Sequence, residues 1–404
     1  MRKLKIIAAL LLLALLVPAL AHIRGTLPAD NSALAGKKYG GWSGVLRLWV
    51  YEGWTPGAGS LAGWLNRCIA RFEKAREGVY VQPRYVDAGA IASLGDSGII
   101  PPDLILFPAG LLETPDGLAA LEESPALRPD LARLGAADGE IYALPVAMGD
   151  YVWAYDAAHL PGVPNTWENQ EVVPACPADE AFHLWGAALL GLCSARFDEA
   201  TEESMPSPHI GDIDLGLIPI SPAPTPAATV PTSEGPLSCR LPAGFAPSAS
   251  AYRDFINGDA AAIPVTQREI RRLQALSDQG KGPDWRLAFT GAVFTDQLAA
   301  VAVVDGTNAD RVALSRAFAA HLLSDDCQGE LHRAGAFSVT GAPSGYGGTD
   351  PLAVMEDALR SGGVVAPPLF GSEWKNSAAA IVRKFLAGQG EAPVLWGELA
   401  ALLE

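Results

Sequence analysis

An alternation of strand and helix patterns in the N-terminal third of the chain constrains the fold more than any other feature. An apolar run at residues 45–51 predicts a strand, and apolar residues recur at helical spacing over residues 64–75. Residues 79–86 and 102–108 predict two further strands, and Pro83 favours a sheet edge for the first of them. Strand, helix and strand in this order predict an α/β fold with right-handed crossovers.

An export signal precedes these strands. Basic residues lie among the first five, residues 6–21 are apolar and uncharged, and residues 19–21 give the small-x-small pattern that signal peptidase reads. The apolar run is short for a bilayer of about 30 Å, which needs about 20 helical residues. Residues 1–21 therefore predict a signal peptide, with an uncleaved anchor as the alternative, and residues 22–43 predict a tether. We expect the protein in the periplasm or on the outer face of the cytoplasmic membrane.

The length of the chain indicates the number of domains, and its net charge excludes one class of partner. A chain of 404 residues is too long for a single hydrophobic core of ordinary size and long enough for two domains. The net charge of −16 repels phosphate backbones, so we expect no nucleic-acid partner.

A proline-rich stretch over residues 194–249 predicts an irregular insertion. Residues 141–156 read as one extended crossing strand, and residues 286–292 and 298–304 predict strands on the return path.

The cysteines and histidines indicate no cofactor. Five cysteines form no C-x-x-C pair, and the six histidines are isolated in the sequence, so we expect no metal or redox group. Export permits a disulfide, and its predicted members are Cys176, Cys193 and Cys239. Cys68 and Cys327 read equally well as ordinary small apolar residues.

The sequence gives weak support to two other functions, dinucleotide binding and glycoside hydrolysis. Gly57, Gly59 and Gly63 follow the first strand, but their spacing does not fit a dinucleotide-binding turn. A glycine-lined helix N-terminus there would still offer N–H groups to a ligand oxygen. A glycoside hydrolase needs two cleft carboxylates, and nothing in the spacing of the acids singles out a pair from Glu52, Asp87, Asp150 and Asp296. This hydrolase stays the alternative function.

Aromatic residues at predicted strand ends and loops favour a binding cleft. Flat rings stack on the apolar faces of sugars, while carboxylates and amides hydrogen-bond the hydroxyl groups. Trp64 and Trp153 are equally compatible with a core position. The aromatic residues in question are Tyr51, Trp54, Trp64, Tyr151, Trp153, Phe294 and Trp374.

Several stretches, taken in order, resemble the family 1 extracellular solute-binding proteins, which are the sugar-binding components of bacterial ABC importers. They include the strand VLRLWVYEGW at residue 45, the strand PPDLILFP at residue 101, the crossing segment IYALPVAMGDYVWAYD and the segment HLLSDDCQGELHRAGAFSV. The resemblance covers most of residues 45–339 outside the proline-rich region, and each motif alone is weak.

The resemblance implies a two-lobed type 2 periplasmic-binding-protein fold with hinge strands and a ligand cleft between the lobes. It implies no catalysis, a sugar or other small polar ligand, an ABC permease as partner and a monomeric protein, and neither polyamines nor peptides are excluded as ligands. Two departures are the proline-rich region and the missing lipid-attachment cysteine.

The predicted lobes and site follow from this resemblance and from the aromatic pattern. Lobe 1 is predicted from residues 44–146 and 290–345, and lobe 2 from residues 147–193, 250–289 and 346–404. The predicted ligand-binding residues are Tyr51, Glu52, Trp54, Asp87, Tyr151, Trp153, Phe294, Thr295, Asp296 and Trp374.

Overall fold

A computed structural model describes most of the chain beyond the predicted signal peptide and tether. The described residues are 42–94, 100–159, 187, 188, 190, 248–288, 292–306, 308–371 and 373–403. The predicted signal, the tether up to residue 41 and almost all of the proline-rich stretch lie outside them. Within the described ranges, no helix is both long and apolar enough to cross a membrane.

The elements are numbered along the chain. The strands are β1 Gly44–Val50, β2 Val79–Tyr85, β3 Leu104–Pro108, β4 Ala136–Ala137, β5 Glu140–Ile141, β6 Ala143–Met148, β7 Val152–Asp156, β8 Ala262–Val265, β9 Trp285–Ala288, β10 Ala292–Phe294, β11 Leu298–Val303 and β12 Gly363–Val365. The helices are α1 Ala62–Ala75, α2 Ala88–Ala92, α3 Ser248–Asn257, α4 Gln267–Ser277, α5 Ala309–Leu322, α6 Asp325–Gln328, α7 Pro351–Ser361, α8 Glu373–Leu386 and α9 Ala392–Leu403, with a 3-10 helix at Leu331–Ala334.

The larger sheet lies in the predicted lobe 1. Its strand order is β2-β1-β3-β11-β6. Strand β1 runs parallel to β2 and β3, and β11 runs antiparallel to β3 and β6. The predicted strands and the parallel pairing are thereby confirmed, and Pro83 lies on the edge strand β2, where a missing N–H leaves the ladder intact.

Helix α1 follows β1 and covers this sheet with one apolar face. Trp64, Leu65, Cys68, Ile69 and Phe72 are buried along it, as the helical spacing predicts. The ring of Phe72 meets that of Phe318 on α5 edge-on, with centroids 5.0 Å apart. Each such side chain stabilises the fold by about 1.5–3 kcal/mol when it leaves water.

A three-stranded sheet, which we call the smaller sheet, lies in the predicted lobe 2 and has the antiparallel order β8-β7-β9. Strand β10 pairs in parallel with β12 in a separate two-stranded sheet. The central strand β7 separates two apolar clusters, because successive side chains of a strand point to opposite faces. Val152 and Ala154 pack in the cluster that continues into lobe 1. Trp153 and Tyr155 pack in a second cluster with helices α8 and α9.

The prediction of one crossing strand over residues 141–156 is wrong. Strands β6 and β7 are separate and belong to different sheets, and the chain passes from one sheet to the other at residues 149–151. The return strand predicted at residues 286–292 is likewise two strands, β9 and β10. At the first of these breaks, the N–H of residue 149 bonds to the second crossing segment instead of continuing a ladder.

A buried glutamine fastens the edge strand β6 to the helices behind it. Gln328 is 2% exposed, and its side-chain amide donates to the carbonyls of Val146 at 2.9 Å and Leu322 at 2.8 Å. Its carbonyl oxygen accepts from the hydroxyl of Ser338 at 2.9 Å and the N–H of Val339 at 3.1 Å. All four hydrogen-bonding positions of the side chain are thus occupied.

We therefore expect Gln328→Leu to lower the free energy of unfolding by about 3 kcal/mol, because several buried backbone groups would lose their partner at once. Urea unfolding followed by tryptophan fluorescence measures the change. The matched control is Gln279→Leu, since Gln279 is exposed and its side chain donates to the carbonyl of Ala275 and accepts from Nζ of Lys281 at the surface. An equal effect of the two substitutions would contradict a stabilising role for the Gln328 network.

Candidate binding site at the crossing segments

Residues 149–151 connect the five-stranded sheet to the sheet β8-β7-β9, and residues 295–297 connect it to the sheet β10-β12. These two segments are bonded to each other. The N–H of Gly149 donates to the carbonyl of Gln297 at 2.7 Å. The hydroxyl of Thr295, which is fully buried, donates to the carbonyl of Gly149 at 3.0 Å and accepts from the N–H of Gln297 at 3.1 Å. The crossing segments at residues 149–151 and 295–297 therefore run side by side, which makes them the junction between the lobes.

The absence of a side chain at residue 149 lets two glutamines approach this junction. A Cβ atom at Gly149 would lie 2.2 Å from Oε1 of Gln297 and 2.7 Å from Nε2 of Gln267. Gln297 comes from the return crossing and is 5% exposed, and Gln267 comes from lobe 2 and is fully buried. Their amide groups thus converge on the backbone of Gly149.

Helix α4 positions Gln267 at its first residue. Thr266 and Glu269 form a reciprocal capping box, in which the Glu269 carboxylate accepts from the N–H of Thr266 at 3.2 Å. Neither the nitrogen nor the oxygen of the Gln267 side-chain amide has a hydrogen-bond partner among the described residues. A buried amide without a partner costs about 1–3 kcal/mol, so this orientation has no evident structural benefit.

The loop after β1 brings lobe 1 to the same helix. A Cβ atom at Gly57 would lie 3.2 Å from Cβ of Gln267. Within that loop, Glu52 is half-buried, and this burial raises the pKa of its carboxyl group. The N–H groups of Leu61 and Ala62 act in the opposite direction. These amides at the start of α1, which the sequence predicted for a ligand oxygen, therefore bond the chain's own carboxylate.

The loop also carries two buried polar atoms that have no partner within the described ranges, Oε1 of Glu52 and Nε1 of Trp54. Gly53 between them adopts φ of 73°, and a Cβ atom there would lie 2.4 Å from the ring of Pro108. This contact holds the loop against the end of β3. Only glycine combines that close approach with a left-handed backbone.

Asp150 follows Gly149 and lies in the first crossing. It is 5% exposed, and its Oδ1 has no hydrogen-bond partner in the described part of the chain. Burial raises the pKa of its carboxyl group to about 8, against weaker opposing effects of the Tyr151 N–H and the Arg128 charge. Asp150 is therefore largely protonated at neutral pH, and its carboxyl can donate as well as accept a hydrogen bond.

Tyr151 and Asp296 link the two crossings through their side chains. The Tyr151 hydroxyl donates to Oδ1 of Asp296 at 2.7 Å. Burial, reinforced by the Asp296 charge, raises the pKa of Tyr151 well above its usual value. Gln297 also hydrogen-bonds this hydroxyl, so residues 295–297 all contact the first crossing.

The other predicted site residues lie around this junction or away from it. Trp153, Phe294 and Trp374 are 1%, 0% and 8% exposed and belong to the apolar cluster behind β7. Tyr51 is half-buried at the end of β1. Asp87 is exposed and caps helix α2 by accepting from the N–H of Ala90 at 2.8 Å. A role in ligand binding stays a prediction for every residue of the set.

Sequence reasoning missed Gln267 and Gln297. A glutamine in the first turn of a helix, or after a loop, resembles any solvated side chain, and only the fold brings these two together at Gly149. The junction polar set, as we term it, consists of the residues with buried unpaired polar atoms at or beside the crossings: Glu52, Trp54, Asp150, Gln267 and Gln297.

This set offers hydrogen-bond donors and acceptors, and it contains two carboxyl groups and no basic side chain. Among the described residues, no group of three or more His, Cys, Asp or Glu side chains is arranged to hold a metal ion. The arrangement suits recognition of neutral polar groups such as hydroxyls, which need both donors and acceptors.

The raised pKa of Asp150 predicts a pH-dependent stability. The folded state holds the proton up to about pH 8, whereas the unfolded chain releases it near pH 4. Binding of this proton therefore stabilises the folded state fully below pH 4. As pH rises toward 8, the free energy of unfolding falls by about 1 kcal/mol per pH unit. Asp150→Asn carries no titrating group, so its stability relative to the native protein should rise between pH 5 and pH 8.

Urea unfolding of both proteins at pH 5, 6, 7 and 8 measures this difference. The exposed Asp357 provides the control, since Asp357→Asn makes the same substitution at a side chain that faces solvent. A difference between Asp150→Asn and the native protein that does not change with pH would mean that Asp150 is ionised in the folded protein.

No protein-family model and no curated protein sequence matches the chain. Solved structures do match its fold. They include a family 1 extracellular solute-binding protein from Bifidobacterium longum subsp. infantis, at 14% identity and a TM-score of 0.55, with 90% of this chain and 99% of that chain covered. The sugar-binding protein MalE from Xanthomonas citri matches at 13% identity and a TM-score of 0.57, with 89% and 96% covered.

A third match is the galacto-N-biose/lacto-N-biose I-binding protein of an ABC transporter from Bifidobacterium longum, at 15% identity and a TM-score of 0.52, with 90% of this chain and 97% of that chain covered. At such identities a structural match establishes the fold and not the activity. The fold predicted from the sequence is confirmed: the chain has the two-lobed α/β fold of the family 1 extracellular solute-binding proteins.

Proposed function

We propose that this protein captures a small polar ligand, a sugar or oligosaccharide, between its lobes and delivers it to the membrane permease of an ABC importer. The observation that carries the proposal is the junction polar set. Its unpaired atoms come from the loop after β1, from both crossings and from the start of α4. A ligand held there contacts both lobes and the segments that join them.

The chemistry of the set favours a polyhydroxylated ligand. Sugar hydroxyls both donate and accept, and they meet an amide at Gln267, an amide oxygen at Gln297 and a largely protonated carboxyl at Asp150. Trp54 adds an indole N–H together with an aromatic ring, which suits the apolar face of a sugar. An anionic ligand would find no basic side chain in this set to balance its charge.

The structural neighbours support the same ligand class. The protein from Bifidobacterium longum was solved with lacto-N-biose, the GacH receptor of Streptomyces glaucescens with acarbose, and another match is described as a chitin oligosaccharide binding protein. The last two match with a TM-score of 0.51. These ligands belong to those proteins, and their common feature is an oligosaccharide.

The mechanism follows from the two crossing segments. A ligand that contacts both lobes stabilises the closed arrangement over the open one, and the closed form is what a permease would engage. The shift can be no larger than the difference between the ligand's affinities for the two forms. No covalent step is needed, and we expect release of an unchanged ligand to a permease at the outer face of the cytoplasmic membrane.

The alternative is a secreted glycoside hydrolase. Incubation with maltose, chitin, xylan and lacto-N-biose oligosaccharides distinguishes the two functions. A ligand that raises the melting temperature and lowers the radius of gyration in solution scattering, without any product on chromatography, supports binding. Release of sugar products with turnover would refute the transport function.

Gln267→Leu tests the junction polar set directly. We expect it to weaken binding of the best oligosaccharide by about tenfold or more, because a hydrogen-bonding amide is replaced by an apolar group. Its thermal stability should stay the same or rise, since the amide that is removed has no partner among the described residues. Isothermal titration calorimetry and thermal unfolding measure the two effects.

Gln328→Leu is the matched control. Both glutamines are buried, but the Gln328 amide is fully hydrogen-bonded within the chain. The control should lose stability and, where it folds, keep the affinity of the native protein. Unchanged affinity in Gln267→Leu would remove the junction polar set from the binding site.

A further inference from the structure

Two cysteines that the proposed function does not use lie against each other behind the larger sheet. Cys68 on α1 and Cys327 on α6 are both fully buried, and both are free thiols here. The thiol of Cys68 hydrogen-bonds the sulfur of Cys327. The sequence could not show this contact, because more than half of the chain separates the two residues.

We propose that Cys68 and Cys327 form a disulfide that joins helix α1 to helix α6. The inference rests on the extracytoplasmic location that belongs to the proposed function, since disulfides form and persist in oxidising compartments. It differs from the pairing predicted among Cys176, Cys193 and Cys239, which lie outside the described residues.

The two helices are already held in register by contacts on either side of the thiols. The indole N–H of Trp64, one turn before Cys68, donates to the carbonyl of Cys327 at 2.7 Å. One turn after Cys68, Arg71 donates to the carbonyl of Asp326 at 2.8 Å and pairs with Glu330 at 2.8 Å. A covalent bond between the thiols would thus reinforce an interface that the chain forms without it.

Cys327 is the stronger nucleophile of the two, because Cys68 and, more weakly, His321 hydrogen-bond its sulfur. Nε2 of His321 lies 3.4 Å from Sγ of Cys327 and 3.1 Å from the carbonyl oxygen of Cys68. The hydrogen bond from Cys68, together with those from His321 and Ser324, lowers the pKa of the Cys327 thiol. A thiolate rather than a thiol attacks a disulfide.

Oxidation of the two thiols requires an external disulfide as oxidant, either oxidised glutathione or a protein disulfide. The Cys327 thiolate attacks one sulfur of that oxidant, forms a mixed disulfide and expels one thiolate. Cys68 then loses its proton and attacks Sγ of Cys327, which expels the second thiolate. Two thiols are oxidised, one disulfide is reduced, and the protons leave with the expelled thiolates. Because both cysteines are buried in the folded chain, we expect the bond to form late in folding, when helices α1 and α6 already meet and the oxidant still reaches Cys327.

Non-reducing peptide mapping tests the bond. The denatured full chain is refolded in a glutathione redox buffer, alkylated without reduction and digested with trypsin. Cleavage at Arg67, Arg71, Arg316 and Arg333 releases residues 68–71 and 317–333, and neither peptide contains another cysteine. We expect one species whose mass is the sum of the two peptides less two hydrogens, and which dithiothreitol separates.

Recovery of both peptides in alkylated form, or of either one linked to Cys176, Cys193 or Cys239, would overturn the proposal. The mapping needs no sugar, so a protein that binds no ligand can still show the bond, and one that binds can lack it. The two proposals therefore fail separately.

Thermal unfolding supplies the second measurement. Reduction with dithiothreitol should lower the melting temperature of the oxidised native protein by about 5 °C or more, since the bond closes a very long loop. The variant Cys68→Ala/Cys327→Ala retains the other three cysteines, and reduction should lower its melting temperature by much less. Equal effects of reduction on the two proteins would contradict a stabilising bond at this position.

Discussion

The backbone bond between Gly149 and Gln297 is the constraint on which the rest of the molecule depends. It joins the two crossings next to the ends of β6 and β11, and the buried Thr295 hydroxyl adds a second bond between them by donating to the carbonyl of Gly149. The crossings therefore cannot separate independently. A change in the angle between the lobes must be absorbed by a few backbone dihedrals next to this bond, which is how hinges commonly work.

The same constraint explains why polar atoms gather there without partners. Native proteins hydrogen-bond nearly all buried polar groups, as Gln328 does with four contacts. Gln267 is equally buried and its side chain makes none among the described residues. The two residues have the same side chain, so chemistry does not account for the difference. The unpaired amide of Gln267 lowers the stability of the folded state. Buried polar groups that lower stability in this way concentrate at functional sites.

The sequence predicted the elements better than their junction. Strand β1, helix α1 and the edge position of β2 follow from hydrophobic periodicity and from Pro83, because such signals are local. The break at Gly149 was not predicted, since the apolar residues of β6 and β7 read as one run. Gln267 was missed because its role depends on contacts with Gly57 and Gly149 that no spacing encodes. The orientation of a polar side chain is a tertiary property.

A bond between Cys68 and Cys327 would stabilise one lobe without restricting the segments that join the two lobes. Both cysteines lie in the predicted lobe 1, so the bond would cross-link that lobe internally and leave the crossings at Gly149 free to bend. The loop it closes nevertheless contains both crossings and the whole smaller sheet. The unfolded chain would therefore lose much conformational freedom, while the folded lobes would keep theirs. Stability gained in this way does not oppose hinge motion, unlike a cross-link placed between the lobes.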